Sequence, residues 1–413
     1  MENIFLKRNI LEDLRLWDIR QNGPLLLYGM KGVGKAFICK EYARMKESFM
    51  YYEPELSLIK EGNVKEKSAV EYTAQHFGLS KEALGANFLI LNETEKAEEF
   101  FKALFETAVR EQYKWIFISD YDYLEDEYPE QYKLHMFPVQ FDEFLINLGY
   151  NDWYVSSIGE NLKRREKLPD IVHNNLLSTF EEYLWTGGMP DVVEEYIKEH
   201  RLGIRCAQQN SKMLSYSILD DEKDSSLLNK CRQILDTVDV QLNKSNKKFM
   251  FSLIRSGVTY QMYSSAIERL VQKGLILKIN ELFDERKFKL FYPEFSFNSQ
   301  ESFDEITDVE FLLREENYIL QTFKQKGIDV CFWESGNRAE LPFVIRKKDC
   351  ELIPVDYNGE SRRVSKSLKS YSSKYNNGKA LIISTTNFST DGLTVSIPVY
   401  SIFCIEKLLE VLV

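Results

Sequence analysis

Pro24-Leu25-Leu26-Leu27-Tyr28-Gly29-Met30-Lys31-Gly32-Val33-Gly34-Lys35-Ala36 is the stretch on which the fold turns. Its apolar run reads as a buried strand and its glycine-rich segment as a tight turn. Phe37-Ile38-Cys39-Lys40-Glu41-Tyr42-Ala43-Arg44 behind it reads as a helix. This is Gly-x-x-x-x-Gly-Lys, a phosphate loop, in the strand–loop–helix setting it requires. Gly29, Gly32 and Gly34 let the backbone turn so that its N–H groups can face phosphate oxygens. The helix that begins there adds the positive end of its dipole, and Lys35 supplies a cation for β- and γ-phosphates. Gly29, Met30, Lys31, Gly32, Val33, Gly34, Lys35 and Ala36 are therefore the candidate nucleotide-binding residues. Ala36 departs from the pattern, since Ser or Thr belongs there to place a hydroxyl on Mg²⁺. An ordinary glycine-rich βα turn would use the same residues.

Working outward, residues 4–20 carry apolar side chains at helical spacing, which predicts an amphipathic helix before the first strand. Phe49–Tyr52 predicts a second strand, and residues 60–86 are polar and read as helical. Phe88-Leu89-Ile90-Leu91-Asn92-Glu93 has the shape of a Walker B strand, whose terminal acid holds Mg²⁺ through water. Here that acid is replaced by Asn92. Glu93 is the catalytic candidate, standing where ATPases keep the base that orients the attacking water. A buried strand ending in surface polar residues has the same shape. Glu95–Gln112 predicts a helix with Phe100, Phe101, Leu104 and Phe105 on one face. Trp115–Asp120 is a further buried strand, with Ser119 or Asp120 placed to sense a γ-phosphate or simply to end the strand. The alternation implies a parallel, doubly wound sheet.

From Phe141 to His200 the pattern is helical, broken by Gly187-Gly188-Met189-Pro190-Asp191, and polar helices continue over 201–243. Phe249–Ile254, a turn at Gly257, and Tyr260–Lys273 have helix–turn–helix spacing, and Leu275–Ile279 with Phe288–Tyr292 would form the strands of a wing. Between 244 and 278 there are seven basic residues (Lys244, Lys247, Lys248, Arg255, Arg269, Lys273, Lys278) against Glu268 alone. That reversal hints at nucleic acid, while packing beside an ATPase core is the plainer alternative. Beyond 297, Asp329–Trp333, Phe343–Ile345, Leu352–Asp356 and Ala380–Ser384 read as strands, and Ser365–Tyr375 as a helix.

The 413 residues suffice for two to four domains. Net charge is −11, so the chain has no global electrostatic footprint for nucleic acid or anionic membrane. The six cysteines are scattered without a Cys-x-x-Cys pair, which argues against zinc and disulfide frameworks and suits a cytoplasmic protein. The N-terminus does not read as a signal peptide, and no apolar run is long enough to span a membrane.

With the phosphate loop, Phe88–Glu93, Pro138–Leu145, Gly187–Asp191 and Lys247-Lys248-Phe249 in this order, the chain resembles bacterial and archaeal AAA-type ATPases with a C-terminal domain like the PD-(D/E)xK nucleases. The resemblance implies an α/β protein in four parts. These are a P-loop AAA-type parallel-sheet core (1–146), a helical lid (147–243), a winged helix (244–296), and an α/β restriction-endonuclease-like domain (297–413). The family's Gly-Lys-Thr is Gly34-Lys35-Ala36 here, and its Asp-Glu is Asn92-Glu93. Its nuclease pattern, Glu-Val-Asp-Phe then Glu-x-Lys, corresponds to Glu340-Leu341-Pro342-Phe343 then Asp356-Tyr357-Asn358. Two of the three groups nuclease chemistry needs are thus missing. The expectation is a protein that binds ATP, with or without Mg²⁺, and hydrolyses it weakly or not at all. It would act in regulation or as an adaptor to an unidentified protein partner, with no nuclease activity, no metal site of its own and no membrane contact. The alternatives are an interaction or DNA-binding protein that has lost nucleotide binding, and an active ATPase with an altered Mg²⁺ shell.

Overall fold

The computed structural model describes residues 5–20, 23–46, 49–52, 69–200, 203–298, 308–336, 339–348, 350–357, 359, 364–375 and 378–410. Strands β1 (Leu25–Tyr28), β2 (Met50–Tyr52), β3 (Leu89–Leu91), β4 (Trp115–Ser119) and β5 (Lys133–His135) form one sheet in the order β2-β3-β4-β1-β5. Every pairing in it is parallel. Its inner strands β1, β3 and β4 are apolar on both faces because both are covered, as parallel sheets require. Leu25, Leu27, Ile90, Ile116 and Ile118 share a core with helices α1 (Ile10–Arg20) and α2 (Lys35–Arg44), through Leu14, Trp17, Ile38 and Tyr42. The alternate side chains, Leu26, Leu89, Leu91, Trp115 and Phe117, face the other way, towards Phe101, Leu104 and Phe105 further along the chain.

Most of the predicted elements are present. Residues 60–68 of the expected polar helix lie outside the described residues, and the rest of that stretch forms two short helices, α3 (Ala69–His76) and α4 (Lys81–Ala86). The helix expected from Glu95 begins three residues later, as α5 (Glu98–Glu111), after a 3₁₀ turn over Thr94–Ala97. Strand β5 carries Lys133 and His135 at the sheet edge, and its polarity hides it from a hydrophobic pattern.

Helices α6 (Phe141–Asn147), α7 (Asp152–Arg164), α8 (Asp170–Thr186), α9 (Pro190–Glu199), α10 (Ile204–Tyr216) and α11 (Ser225–Leu242) come next along the chain. Glu143 accepts from the Gln140 and Asn9 backbone N–H groups (3.0 and 2.6 Å) and pairs with Arg8, buried with it, at 3.1 Å. Arg8 in turn donates to Val33 O, so the Pro138–Leu145 motif clamps the N-terminal segment onto the glycine-rich loop after β1.

Phe249–Ile254 is not a helix. Its apolar run contains only a 3₁₀ turn, and Phe249 N donates to Phe288 O. The helix packed on α12 (Tyr260–Gln272) is α11. The expected antiparallel strands are present as β6 (Leu277–Asn280) and β7 (Phe288–Phe291).

Helix α13 (Asp308–Gln325) then leads into a second sheet. Its strands are β8 (Asp329–Ser335), β9 (Ala339–Arg346), β10 (Leu352–Tyr357), β11 (Ala380–Ser384), β12 (Ser389–Asp391) and β13 (Thr394–Pro398), in the order β12-β13-β11-β10-β9-β8. Helix α14 (Lys366–Tyr375) covers one face through Leu368 and Tyr371, and α13 packs on the other alongside α8. At the β8 edge, Leu282 N donates to Phe332 O, so the segment after β6 lies against the outermost strand. A short helix, α15 (Ile405–Leu409), packs on α7 near the chain end. Among the described residues no helix is long and apolar enough to cross a membrane.

Candidate functional site

In an open parallel sheet, ligands bind outside the carboxyl ends of the strands, where the strand order switches. Here β1 lies between β4 and β5, and the segments leaving β1, β3 and β4 meet at that edge. They enclose a cleft of about 300 Å³, which Asp191 at the start of α9 closes from the helical side. Pockets for small molecules span roughly 300–1,000 Å³, so the volume is at the lower end of that range.

The glycine-rich loop bends sharply at Gly29, where φ is +153° and an added Cβ would lie 2.1 Å from Met136 O. Any other residue there would force the loop off the strand. Met30 and Val33 are buried and anchor the loop, while Lys31, Gly32, Gly34, Lys35 and Ala36 line the cleft. Gly34 is the N-cap of α2 and brings no capping side chain. The first-turn N–H groups therefore have no side-chain acceptor, and an anion could take that place. Ala36 is half-buried against the core and offers no oxygen.

Lys35 is 6% exposed and lies in the wall of the cleft, with its ammonium turned back onto the loop. Its Nζ donates to Gly29 O at 2.7 Å, to Met30 O at 3.1 Å and to Asp120 Oδ1 at 2.9 Å. Glu95, which no sequence pattern singles out, lies beside this pair and accepts from Asp120 N at 3.3 Å. Burial first, and then the charge of Asp120, push the Glu95 carboxyl up to about 7. Glu93 has left-handed backbone (φ 52°) where the chain leaves β3, and its carboxylate pairs with Lys96. Asn92 stands beside it in the cleft. Ser119, 1% exposed, is turned into the strand-end turn: it donates to Tyr121 O and accepts from Tyr121 N. Of the two candidate sensing residues, only Asp120 reaches the loop lysine.

Four carboxylates (Glu93, Glu95, Asp120, Asp191) and two lysines (Lys31, Lys35) line the cleft. Asp191 comes directly after Gly187-Gly188-Met189-Pro190, which fixes its position. Gly188 donates its N–H to the buried Glu294 at 3.0 Å, and its carbonyl accepts from Val139 N. Met189 then packs over Gly32. Among the described residues, no group of three or more His, Cys, Asp or Glu is disposed to hold a metal ion.

The basic cluster at 244–278 is largely engaged within the molecule. Lys247 pairs with Glu316 and Lys248 with Glu334. Arg269 pairs with Glu222 at 2.9 Å. Lys273, only 4% exposed, donates to Ile218 O at 3.4 Å, with its ammonium 4.8 Å from the centre of the Tyr121 ring. Arg255 stays exposed. In the C-terminal sheet, Glu340 pairs with Lys289. Asp356 is buried, which raises its carboxyl, while Asn358 lies outside the described residues.

A family model described as a domain of unknown function (DUF8612) matches residues 177–291, a span running from α8 through β7 that leaves out the phosphate loop. No curated protein matches the chain. Among solved structures, it is similar to Drosophila ORC bound to DNA at 12% identity, covering 69% of this chain and 82% of that one, with a TM-score of 0.24. It is also similar to the replication initiator DnaA bound to AMPPCP and single-stranded DNA (13% identity, 65% and 91% covered, TM-score 0.28). A third is a STAND protein with a tetratricopeptide-repeat sensor from Pyrococcus horikoshii (12%, 66% and 54%, TM-score 0.23).

Proposed function

We propose that the chain is an AAA-type P-loop protein that binds ATP through Gly29–Ala36 and turns it over slowly or not at all, serving a regulatory or adaptor role. The observation that carries this reading is the loop itself. It leaves a central parallel strand, turns on Gly29 at the carboxyl edge of the sheet, and delivers Lys35 and an uncapped helix start to one cleft. Slow turnover is expected from the cleft's chemistry. Ala36 gives no hydroxyl, Asn92 gives no charge, and two of the acids that line the cleft are already paired, Glu93 with Lys96 and Asp120 with Lys35. Mg²⁺ is normally held by one or two carboxylates together with substrate phosphates, so the usual shell is not assembled here.

The remaining parts keep the proposed order: core to 146, helical lid over 147–243, winged helix over 244–296, and a nuclease-like sheet without nuclease activity over 297–413. The β6–β7 pair after α12 supports the wing. The pairing of Lys247, Lys248 and Arg269 with acids supports packing in preference to DNA contact.

Calorimetry with ATP tests the reading. Lys35→Ala should weaken binding by about 1.5–3 kcal/mol, the scale of a charge-assisted hydrogen bond. Chelating Mg²⁺ should change affinity by less than about tenfold, the factor worth roughly 1.4 kcal/mol. Phosphate release should stay near background. Equal affinity of wild type and Lys35→Ala would exclude this loop as the site, and turnover on the order of 1 s⁻¹ would show an active ATPase.

A further inference from the structure

We propose that Asp120 is a built-in competitor for the phosphate-binding lysine: its carboxylate takes the place on the Lys35 ammonium that a nucleotide phosphate would take, so nucleotide enters by displacing it. This rests on the reading of Gly29–Ala36 as a nucleotide-binding loop.

An ammonium has three N–H donors and no more. On Lys35 all three are used, by Gly29 O, Met30 O and Asp120 Oδ1, at 2.7, 3.1 and 2.9 Å. The lysine is thus folded back over the start of its own loop, and a phosphate must remove one acceptor before it can be bound. Two of the three cannot yield easily. Gly29 O and Met30 O are main-chain atoms of a loop wedged against Met136 and closed by the Val33 N–H bond to Met30 O. Asp120 can yield. It is the first residue past β4, outside the sheet ladder, and it holds Lys35 through its side chain and not its main chain, so letting go needs no backbone movement. The contact is strong because it is shielded: Lys35 is 6% exposed and Asp120 14%. Charge-assisted hydrogen bonds are roughly twice as strong as neutral ones, and more so where the local dielectric is low. Glu95 lies beside Asp120 and accepts from its backbone N–H at 3.3 Å, and burial, followed by the Asp120 charge, raises the Glu95 carboxyl. Asp120 is therefore held on Lys35 by a shielded ionic contact. A phosphate that takes over Lys35 replaces one anion by another, so affinity is set by the difference between them and not by the loop alone.

The test is calorimetric titration of the full chain with ATP in chelator, comparing wild type, Lys35→Ala, Asp120→Asn, Asp120→Ser and the double variant Lys35→Ala/Asp120→Asn. Thermal melts check that each is folded. Removing the competitor should tighten binding by about ten- to a hundredfold in both Asp120 variants, the worth of one charge-assisted bond. In the Lys35→Ala background the gain from Asp120→Asn should vanish, because there is no ammonium left to release. A gain that persists there would reduce Asp120 to a general negative field and overturn the proposal. So would unchanged or weaker binding in both single Asp120 variants, with Lys35→Ala still weaker than wild type; that result leaves the nucleotide reading intact. If no variant binds ATP at millimolar concentration, the nucleotide reading itself fails.

Discussion

At Glu95 two effects act in the same direction. Burial disfavours its ionised form and the Asp120 carboxylate repels it, lifting its pKa from 4.5 to about 7. The unfolded chain ionises this residue near its ordinary value, whereas the folded chain retains the proton longer. The folded state thus binds more protons between pH 4.5 and about 7, and stability falls as pH rises through that window. Glu95→Gln cannot ionise, so it should be neutral for stability at pH 4 and stabilising at pH 8, by on the order of 1–3 kcal/mol. Urea unfolding of both proteins at the two pH values checks this; an equal difference at both would mean that Glu95 ionises as readily in the fold as in the unfolded chain. The sequence marks Gly29, Lys35 and Ala36 through a spaced pattern. It cannot mark Glu95 or the role of Asp120, because neither has a spacing rule and their partnership with Lys35 is made only by the fold.

At the scale of elements, α12 is the instructive case. Arg269 and Lys273 read as part of a basic face, yet one is paired with Glu222 and the other is buried against Ile218 O and the Tyr121 ring. Replacing both with alanine should cost about 1–3 kcal/mol, as expected when partners are left buried and unpaired. At low and at high salt alike, any DNA affinity of the variant should equal that of the wild type. If these residues do touch phosphate, a gel-shift series would show the salt slope falling by about two units and the melt would barely move. Elements with an unbroken apolar run, such as β1, β3, β4 and β11, were legible because burial on both faces leaves no polar position to confuse the reading. Helix α13 was not. Its buried positions include Glu310, Arg314, Asn317, Gln321 and Thr322, so the side that faces the protein looks like a solvent face. The 249–254 run failed for the opposite reason: it is apolar without a period, and Phe249 is bonded to β7.

Across the whole molecule, Arg314 ties distant segments together. Fully buried, it donates to Leu184 O and Trp185 O at the end of α8 and to Ser296 O and Asn298 O before α13. It also pairs with Glu310, which Arg205 reaches from α10. Breaking one partner of a buried ionic set typically costs 3–5 kcal/mol. Arg314→Met should therefore destabilise by about that much and split a single calorimetric transition into two, as the C-terminal sheet lets go of the helices before it. A single transition lowered by less than about 1 kcal/mol would show that the hub is dispensable, since that is the size of an ordinary substitution. The contact between Leu282 and Phe332 adds a different consequence. It occupies the middle of the outer edge of β8, a seven-residue strand that would otherwise be open to any passing chain. The opposite edge, β12, is only three residues long and protects itself by brevity. The C-terminal sheet is thus not an interchangeable cassette. A gene fusion that transplanted it without residues 277–291 would carry an adhesive border into its new host.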